Sequence, residues 1–333
     1  MLRIGLIGAG WVTQYHLLGW QRQAGRAKVV AIADPSLKRA EERAQAFDIE
    51  HVFSSGMDML ENCKLDAVDI AAPREFHADL VRMVAARGLP VICQKPLAPT
   101  YEEACALVAE VSDKTRLMVH ENWRFRSYYR QIGAWLEAGR VGPVLQAQMT
   151  LLTSGLLRDA AGALPAIERQ PFLAHLDRAL VMEVLIHHID TLRFMLGDLT
   201  LIHSRLGKQC EQIIGEDRAS LVFSTRDGAV VNLTANLCTH GEPAVQTDQL
   251  LLIGARGTIR LDGSTLRCQG SESEVVSYDL HASYLDSYAA AIGHFIDCLL
   301  TGSAFETSAE DNLSTLALVE QIYARGYMHV SQA

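Results

Sequence analysis

The stretch LRIGLIGAGWVT at 2–13 runs from an apolar strand into a glycine turn and on into a helical pattern at 13–23. Gly8 permits a tight turn. Gly10 lets a phosphate approach the backbone at the helix N-terminus, where N–H groups and the helix dipole favour anions. The third position of the GxGxxG pattern holds Thr13. A second apolar run ends at Asp34. An acidic side chain there takes the ribose hydroxyls of an adenosine and repels a 2′-phosphate, which points to NAD over NADP. The alternative is a glycine turn of some other doubly wound protein, with Asp34 capping the next helix.

Outward from this turn, apolar runs alternate with amphipathic stretches over the first ~120 residues, the pattern of a parallel sheet with crossover helices. The spacing predicts strands at 3–7, 29–33, 67–71, 91–93 and 117–119, and helices near 13–23, 36–47, 76–87 and 101–112. Thr100 and Glu103 form a capping box before the last of these. The runs are rich in Val, Ile and Ala, as when both sheet faces are covered. A helix near 127–138 then ends at Gly139, and Gly142-Pro143 marks a turn. Strands follow at 199–207, 218–225, 229–237, 247–253 and 257–261, with hairpin turns at 226–228 and 254–257. Helical patterns near 284–300 and 308–326 close the chain. The expected fold is α/β: a dinucleotide-binding domain at 1–121, then an α+β domain at 122–333 with a mostly antiparallel sheet. The segment 153–181, with Gly155, Gly162, Pro165 and Pro171, is a long loop, a candidate lid or dimer contact.

Composition narrows the class. The 333 residues are 49% hydrophobic and 21% charged, with a net charge of −9. That is ordinary globular usage, long enough for roughly two domains. The acidic balance and the absence of a basic run argue against nucleic acid and anionic membrane as partners. No apolar run approaches the ~18 residues that span a bilayer. The N-terminus reads as a strand rather than a leader. Seven scattered cysteines without a CxxC pair fit reduced thiols in a cytoplasmic protein.

Two further segments carry chemistry. Gln94-Lys95-Pro96 puts a lysine just past the carboxyl end of a buried strand, the edge at which open parallel sheets bind ligands. Such a lysine donates to a substrate oxygen or, desolvated, acts as a base; the plainer reading is a solvated surface lysine. In 182–197, Glu183, His187, Asp190 and Thr191 fall at i, i+4, i+7 and i+8 and share one face of a helix. A carboxylate one turn before a histidine orients and tunes it as an acid or base. The plainer reading is the wet side of an amphipathic helix. His187 and His188 point in different directions, and HExxH does not occur, so no metal is expected.

Together GAGWVTQYH (8–16), AAP (71–73) with His77, QKP (94–96), NWRF (122–125) and EVLIHHIDTLRFMLG (183–197) resemble the Gfo/Idh/MocA oxidoreductase family over nearly the whole chain. The resemblance implies a Rossmann domain and an α/β domain whose open sheet covers the nicotinamide and mediates oligomerisation, as a homodimer or homotetramer. It implies NAD held by Gly8, Gly10, Trp11, Val12, Asp34, Pro73, His77, Gln94 and Lys95. It implies catalysis by Lys95 and His187, with Glu183 orienting His187, and a sugar or polyol met by Lys95, Asn122, Arg124 and His187. For Arg124, a structural ion pair is the equal alternative. The chain departs from the family pattern at Thr13 (usually Gly or Ala), at Gln94 (usually Glu, which leaves Lys95 without an anionic neighbour) and at Glu183 (usually Asp). QKPLAPT and HENWRFRSYYR are most similar to the branch containing D-apiose dehydrogenases, which oxidise a branched pentose at the anomeric carbon to its lactone. An inositol-type polyol dehydrogenase, a redox-neutral NAD-dependent glycoside-cleaving enzyme and a catalytically silent NAD-binding sensor stay open at this level.

Overall fold

The computed structural model describes residues 1–245 and 247–330. By contact they divide into two compact units. The first holds Met1–Ser127 and His281–Leu316; the second holds Tyr128–Leu280 and the chain from Ala317 onward.

The first unit contains β1 (Leu2–Ile7), α1 (Thr13–Gln21), β2 (Ala27–Ala33), α2 (Leu37–Phe47), β3 (His51–Phe53), α3 (Gly56–Asn62), β4 (Ala67–Ile70), α4 (His77–Ala85), β5 (Val91–Gln94), α5 (Tyr101–Val111) and β6 (Leu117–His120). Among the described residues these strands form a six-stranded sheet in the order β3-β2-β1-β4-β5-β6. Every pairing in it is parallel. The strand order reverses between β1 and β4, and sheets of this topology bind ligands in the crevice beyond the carboxyl ends at that point. Helix α5 starts where the capping box predicts: the Glu103 N–H donates to Thr100 Oγ1 at 3.2 Å.

The second unit contains α6 (Ser127–Glu137), β7 (Val144–Leu152), α7 (Pro165–Arg169), α8 (Ile186–Leu196), β8 (Leu199–Lys208), β9 (Arg218–Thr225), β10 (Val230–Asn236), β11 (Asp248–Gly254), β12 (Gly257–Asp262), β13 (Thr265–Gln269) and β14 (Glu274–Ser277). In chain order α9 (Leu280–Thr301) and the start of α10 (Ala309–Arg325) then belong to the first unit, and the rest of α10 and β15 (Tyr327–Val330) to the second. The second sheet runs β14-β13-β12-β11-β7-β10-β9-β8-β15 and is mostly antiparallel, with β7–β10 and β8–β15 parallel. Burial alternates along β11, β12 and β13, so one face is packed and the other carries Leu251, Ile253, Arg260 and Arg267.

The expected division at 121/122 placed the whole C-terminal part in one domain. Instead 281–316 packs with the N-terminal sheet. Ala291, Ile292, Phe295, Ile296 and Phe305 join Ile4, Leu6, Leu17, Trp20 and Ile92 in one core cluster. Phe295 is fully buried, stacks on Phe305 and meets Trp20 edge-on. Phe295→Ala is expected to cost about 3–5 kcal/mol, read as a lowered urea midpoint; an unchanged midpoint would show that this packing does not hold α9 in place. Among the described residues no helix is long and apolar enough to cross a membrane.

Candidate active site

The turn after β1 is built for glycine at Gly8. Its φ is 108°, and a Cβ there would lie 2.5 Å from the Ala71 carbonyl oxygen at the end of β4. At Gly10 a Cβ would meet nothing within 4 Å, so the protein's own packing leaves the backbone open there. Thr13 is fully buried and donates from Oγ1 to the Gly8 carbonyl at 3.1 Å, so a hydroxyl closes the turn where the pattern has glycine. Val12 makes no side-chain cap on α1, which leaves first-turn amides for a bound anion. Trp11 is 45% exposed beside the turn, edge-on to Tyr15.

Asp34 is held by the protein's own groups at the entry to α2. Its Oδ2 accepts the Ala9 N–H at 2.8 Å and so ties the glycine turn to the end of β2. Its Oδ1 accepts the Ser36 N–H at 2.8 Å at the entry to α2 and faces Arg39 Nη2 at 3.1 Å. Arg43 of α2 donates to the Gly10 carbonyl at 3.1 Å.

Around the ends of β4 and β5 the structure separates residues that the sequence grouped. Pro73 is exposed and opens a short 3-10 turn at Arg74–Phe76. His77 is 1% exposed, with Nδ1 at 2.7 Å from the Pro96 carbonyl and Nε2 at 2.8 Å from the Ala72 carbonyl. Both ring nitrogens thus lie against carbonyls of two loops, and burial pushes the pKa of the ring down. Lys95 is half-buried, and its peptide to Pro96 is cis. Gln94 is buried; its Oε1 accepts the Lys95 N–H at 2.7 Å and its Nε2 lies 3.0 Å from His16 Nε2.

Behind Gln94 stands a group that motif reading missed. Asp69 is fully buried on β4 and meets His16 Nδ1 at 2.9 Å and Trp20 Nε1 at 2.7 Å. Burial alone would raise its pKa, but His16, His120 and the Trp20 bond together hold it below the usual 3.8. The available signal was a carboxylate inside the apolar run Ala67-Val68-Asp69-Ile70, which needs a buried partner.

Asn122 and Arg124 are committed inside the first unit. Asn122 Nδ2 donates to Ser287 Oγ at 2.7 Å. Arg124 is 4% exposed, pairs with Asp311 Oδ2 at 2.8 Å and donates to the Glu306 carbonyl at 3.1 Å. Arg124 thus makes the structural ion pair that was one of its two sequence readings.

In the second unit, Glu183 lies in a π-helical turn at Leu180–Leu185, and the α-helix begins only at Ile186. Regular α spacing therefore does not relate Glu183 to His187. Glu216 holds the start of that turn by accepting the Val181 N–H at 2.8 Å and the Tyr323 hydroxyl at 2.6 Å. Burial raises the Glu216 pKa against those bonds. The expected wet face is absent: His187 is 9% exposed, Asp190 1%, and His188 and Thr191 are fully buried. His188 Nε2 lies 2.9 Å from Asp248 Oδ1, and Asp248 also accepts the Tyr129 hydroxyl. Glu183 is half-buried.

Comparison with known proteins decides the family. Residues 2–122 match the model of an oxidoreductase family with an NAD-binding Rossmann fold, and residues 129–260 match the Gfo/Idh/MocA C-terminal domain. The chain belongs to the Gfo/Idh/MocA family. It is 30% identical to a D-apiose dehydrogenase from Paraburkholderia graminis, over 96% of this chain and 86% of that one. It is 31% identical to a D-apiose dehydrogenase from Rhizobium rhizogenes, over 97% and 94%. Among solved structures, an oxidoreductase from Agrobacterium radiobacter in complex with NAD+, L-tartaric acid and magnesium aligns with a TM-score of 0.90 at 29% identity, covering 97% and 96%.

NAD is the cofactor of this Gfo/Idh/MocA member, and the turn fits it. Gly8 makes the turn, the open backbone at Gly10 leaves room for a pyrophosphate, and Asp34, just past β2, is the residue proposed for the ribose. Asp34→Ser is expected to narrow the preference for NAD over NADP by roughly tenfold or more, read from the two dissociation constants. A wild-type protein that already prefers NADP contradicts this role.

Proposed function

We propose that the protein is an NAD-dependent dehydrogenase that oxidises a hydroxyl of a sugar or polyol, with an aldose such as D-apiose, oxidised at its anomeric carbon to the lactone, as the preferred substrate. The observation that carries this reading is Lys95 immediately past β5, in the same sheet as the NAD turn, in a chain about 30% identical to two D-apiose dehydrogenases over nearly its full length. NAD, when bound, supplies the hydride acceptor. Lys95 Nζ donates to the reacting hydroxyl oxygen and favours its deprotonated form. His187 takes the proton as the C–H bond gives up its hydride and the carbonyl forms. Glu183 orients the His187 ring. Gly8, Gly10, Trp11, Val12 and Asp34 hold the dinucleotide, with Gln94 and Pro73 flanking its nicotinamide end.

The exposed face of the second sheet, around Leu251, Ile253, Arg260 and Arg267, is the proposed surface for a homodimer or homotetramer. The cytoplasm is the proposed compartment, in keeping with seven free cysteines.

The test is NADH absorbance on mixing the protein and NAD with a panel of aldoses and polyols that includes D-apiose and myo-inositol. Strong turnover of D-apiose is expected. Preference for myo-inositol overturns the anomeric assignment, and NAD binding without turnover of any sugar overturns the dehydrogenase reading.

A further inference from the structure

The proton inventory around Gln94 follows from one backbone group. The Lys95 N–H can only donate, so the Gln94 atom 2.7 Å away is its oxygen. The amide nitrogen therefore faces His16 Nε2 at 3.0 Å. An NH2 group donates, so His16 Nε2 must accept and carries no proton. The remaining imidazole proton sits on Nδ1, where Asp69 Oδ2 lies 2.9 Å away and Oδ1 3.1 Å away. Asp69 also accepts the Trp20 indole N–H. Each donor in this run meets an acceptor, with His16 neutral.

Protonated His16 breaks that order. A second N–H at Nε2 would point at the Gln94 NH2 group, and two donors repel. The amide must then turn over, which takes Oε1 away from Lys95. His16 has several titratable neighbours: Asp69 from β4, the His120 ring at 4.2 Å from β6 and the Tyr288 ring at 5.5 Å from α9. Cys93 on β5 lies close enough to Asp69 for the carboxylate to raise its pKa, after burial, which raises it most. Of these, only Asp69 brings a negative charge against the ring at neutral pH.

We propose that Asp69 and His16 are positioning residues for Lys95, acting through Gln94, and that protonation of His16 releases the Lys95 backbone. Asp69 holds the Nδ1–H form, His16 Nε2 fixes the amide, and Gln94 Oε1 holds the Lys95 N–H. The catalytic consequence rests on the role proposed above for Lys95; the relay itself does not.

The test uses the full chain labelled with 15N at histidine, with the His16 signals identified by their loss in His16→Gln. At neutral pH the expected His16 spectrum has Nδ1 protonated and Nε2 bare. A proton on Nε2, or on both nitrogens, overturns the assignment. Hydrogen exchange at the Lys95 amide, expressed as a protection factor, is followed over pH in parallel. Protection is expected to fall as the 15N signals show Nε2 gaining a proton.

Gln94→Glu should invert the behaviour. His16 becomes doubly protonated between two carboxylates, and Lys95 protection persists on acidification and falls as the pH rises. A wild-type profile in that variant overturns the proposal. Gln94→Met removes both contacts without adding charge, and Lys95 exchange should quicken roughly 5–30-fold, the loss of one buried hydrogen bond. Unchanged exchange overturns the proposal as well. None of these readouts needs a substrate, so failure of the dehydrogenase reading would appear as absent turnover with the relay intact.

Discussion

His187→Ala is expected to lower kcat by roughly 10²–10⁴-fold while the NAD dissociation constant changes little. The reasoning is chemical. Oxidation of a hydroxyl removes a proton as well as a hydride, and at neutral pH that proton needs a nearby acceptor. His187 is an imidazole on α8 that is 9% exposed, whereas its neighbour His188 is fully buried against Asp248. His188 is held by a carboxylate in the core, and His187 is the ring proposed as the base. His188→Ala should act differently. It leaves the Asp248 carboxylate short of a buried partner, so its main effect is on stability. Equal turnover of the His187→Ala variant and the wild type would remove His187 from the mechanism.

Lys95→Met is expected to lower kcat/KM by roughly 10²–10³-fold, the usual loss when one donor to a developing oxyanion is removed. Methionine keeps much of the length and the apolar stem but not the ammonium. The Lys95 backbone N–H bond to Gln94 is unaffected by the change, so the loop should keep its place and NAD should still bind. Steady-state kinetics together with a separate NAD titration tell the two effects apart. A parallel loss of NAD affinity and kcat would show that Lys95 serves the cofactor rather than the substrate.

Much of this was legible in the chain because it is local. The strand, turn and helix of 2–21 are contiguous, and each glycine acts on its own backbone. Strands of the second sheet alternate in burial, and that period survives in sequence. What escaped was short or distant. β3 has three residues, all half-buried, too few to establish a period. The hairpin strands β13 and β14 are similarly short, with five and four residues. Helices α9 and α10 were visible as amphipathic patterns, but a period does not say what its apolar face meets. In α9 it meets Trp20 and Leu17, more than 250 positions earlier.

The site residues divide on the same principle. Gly8 and Asp34 were readable because the motif is a local turn plus one strand end. Arg124 was ambiguous because its partner Asp311 lies 187 residues away. The Glu183 and His187 spacing was read on a period of 3.6, and the π turn at Leu180–Leu185 breaks that period without a sequence mark as plain as glycine or proline. His77 carries a motif position but spends both ring nitrogens on carbonyls of the protein.

The most direct test of the account follows one hydrogen. Protein and NAD are incubated with D-apiose carrying deuterium at the anomeric carbon, and the NADH and sugar product are recovered. Deuterium in the NADH, in equal amount to lactone formed, is the predicted result. Unlabelled NADH, or turnover of the sugar with no NADH released, would contradict the assignment of this chain as a dehydrogenase acting at that carbon.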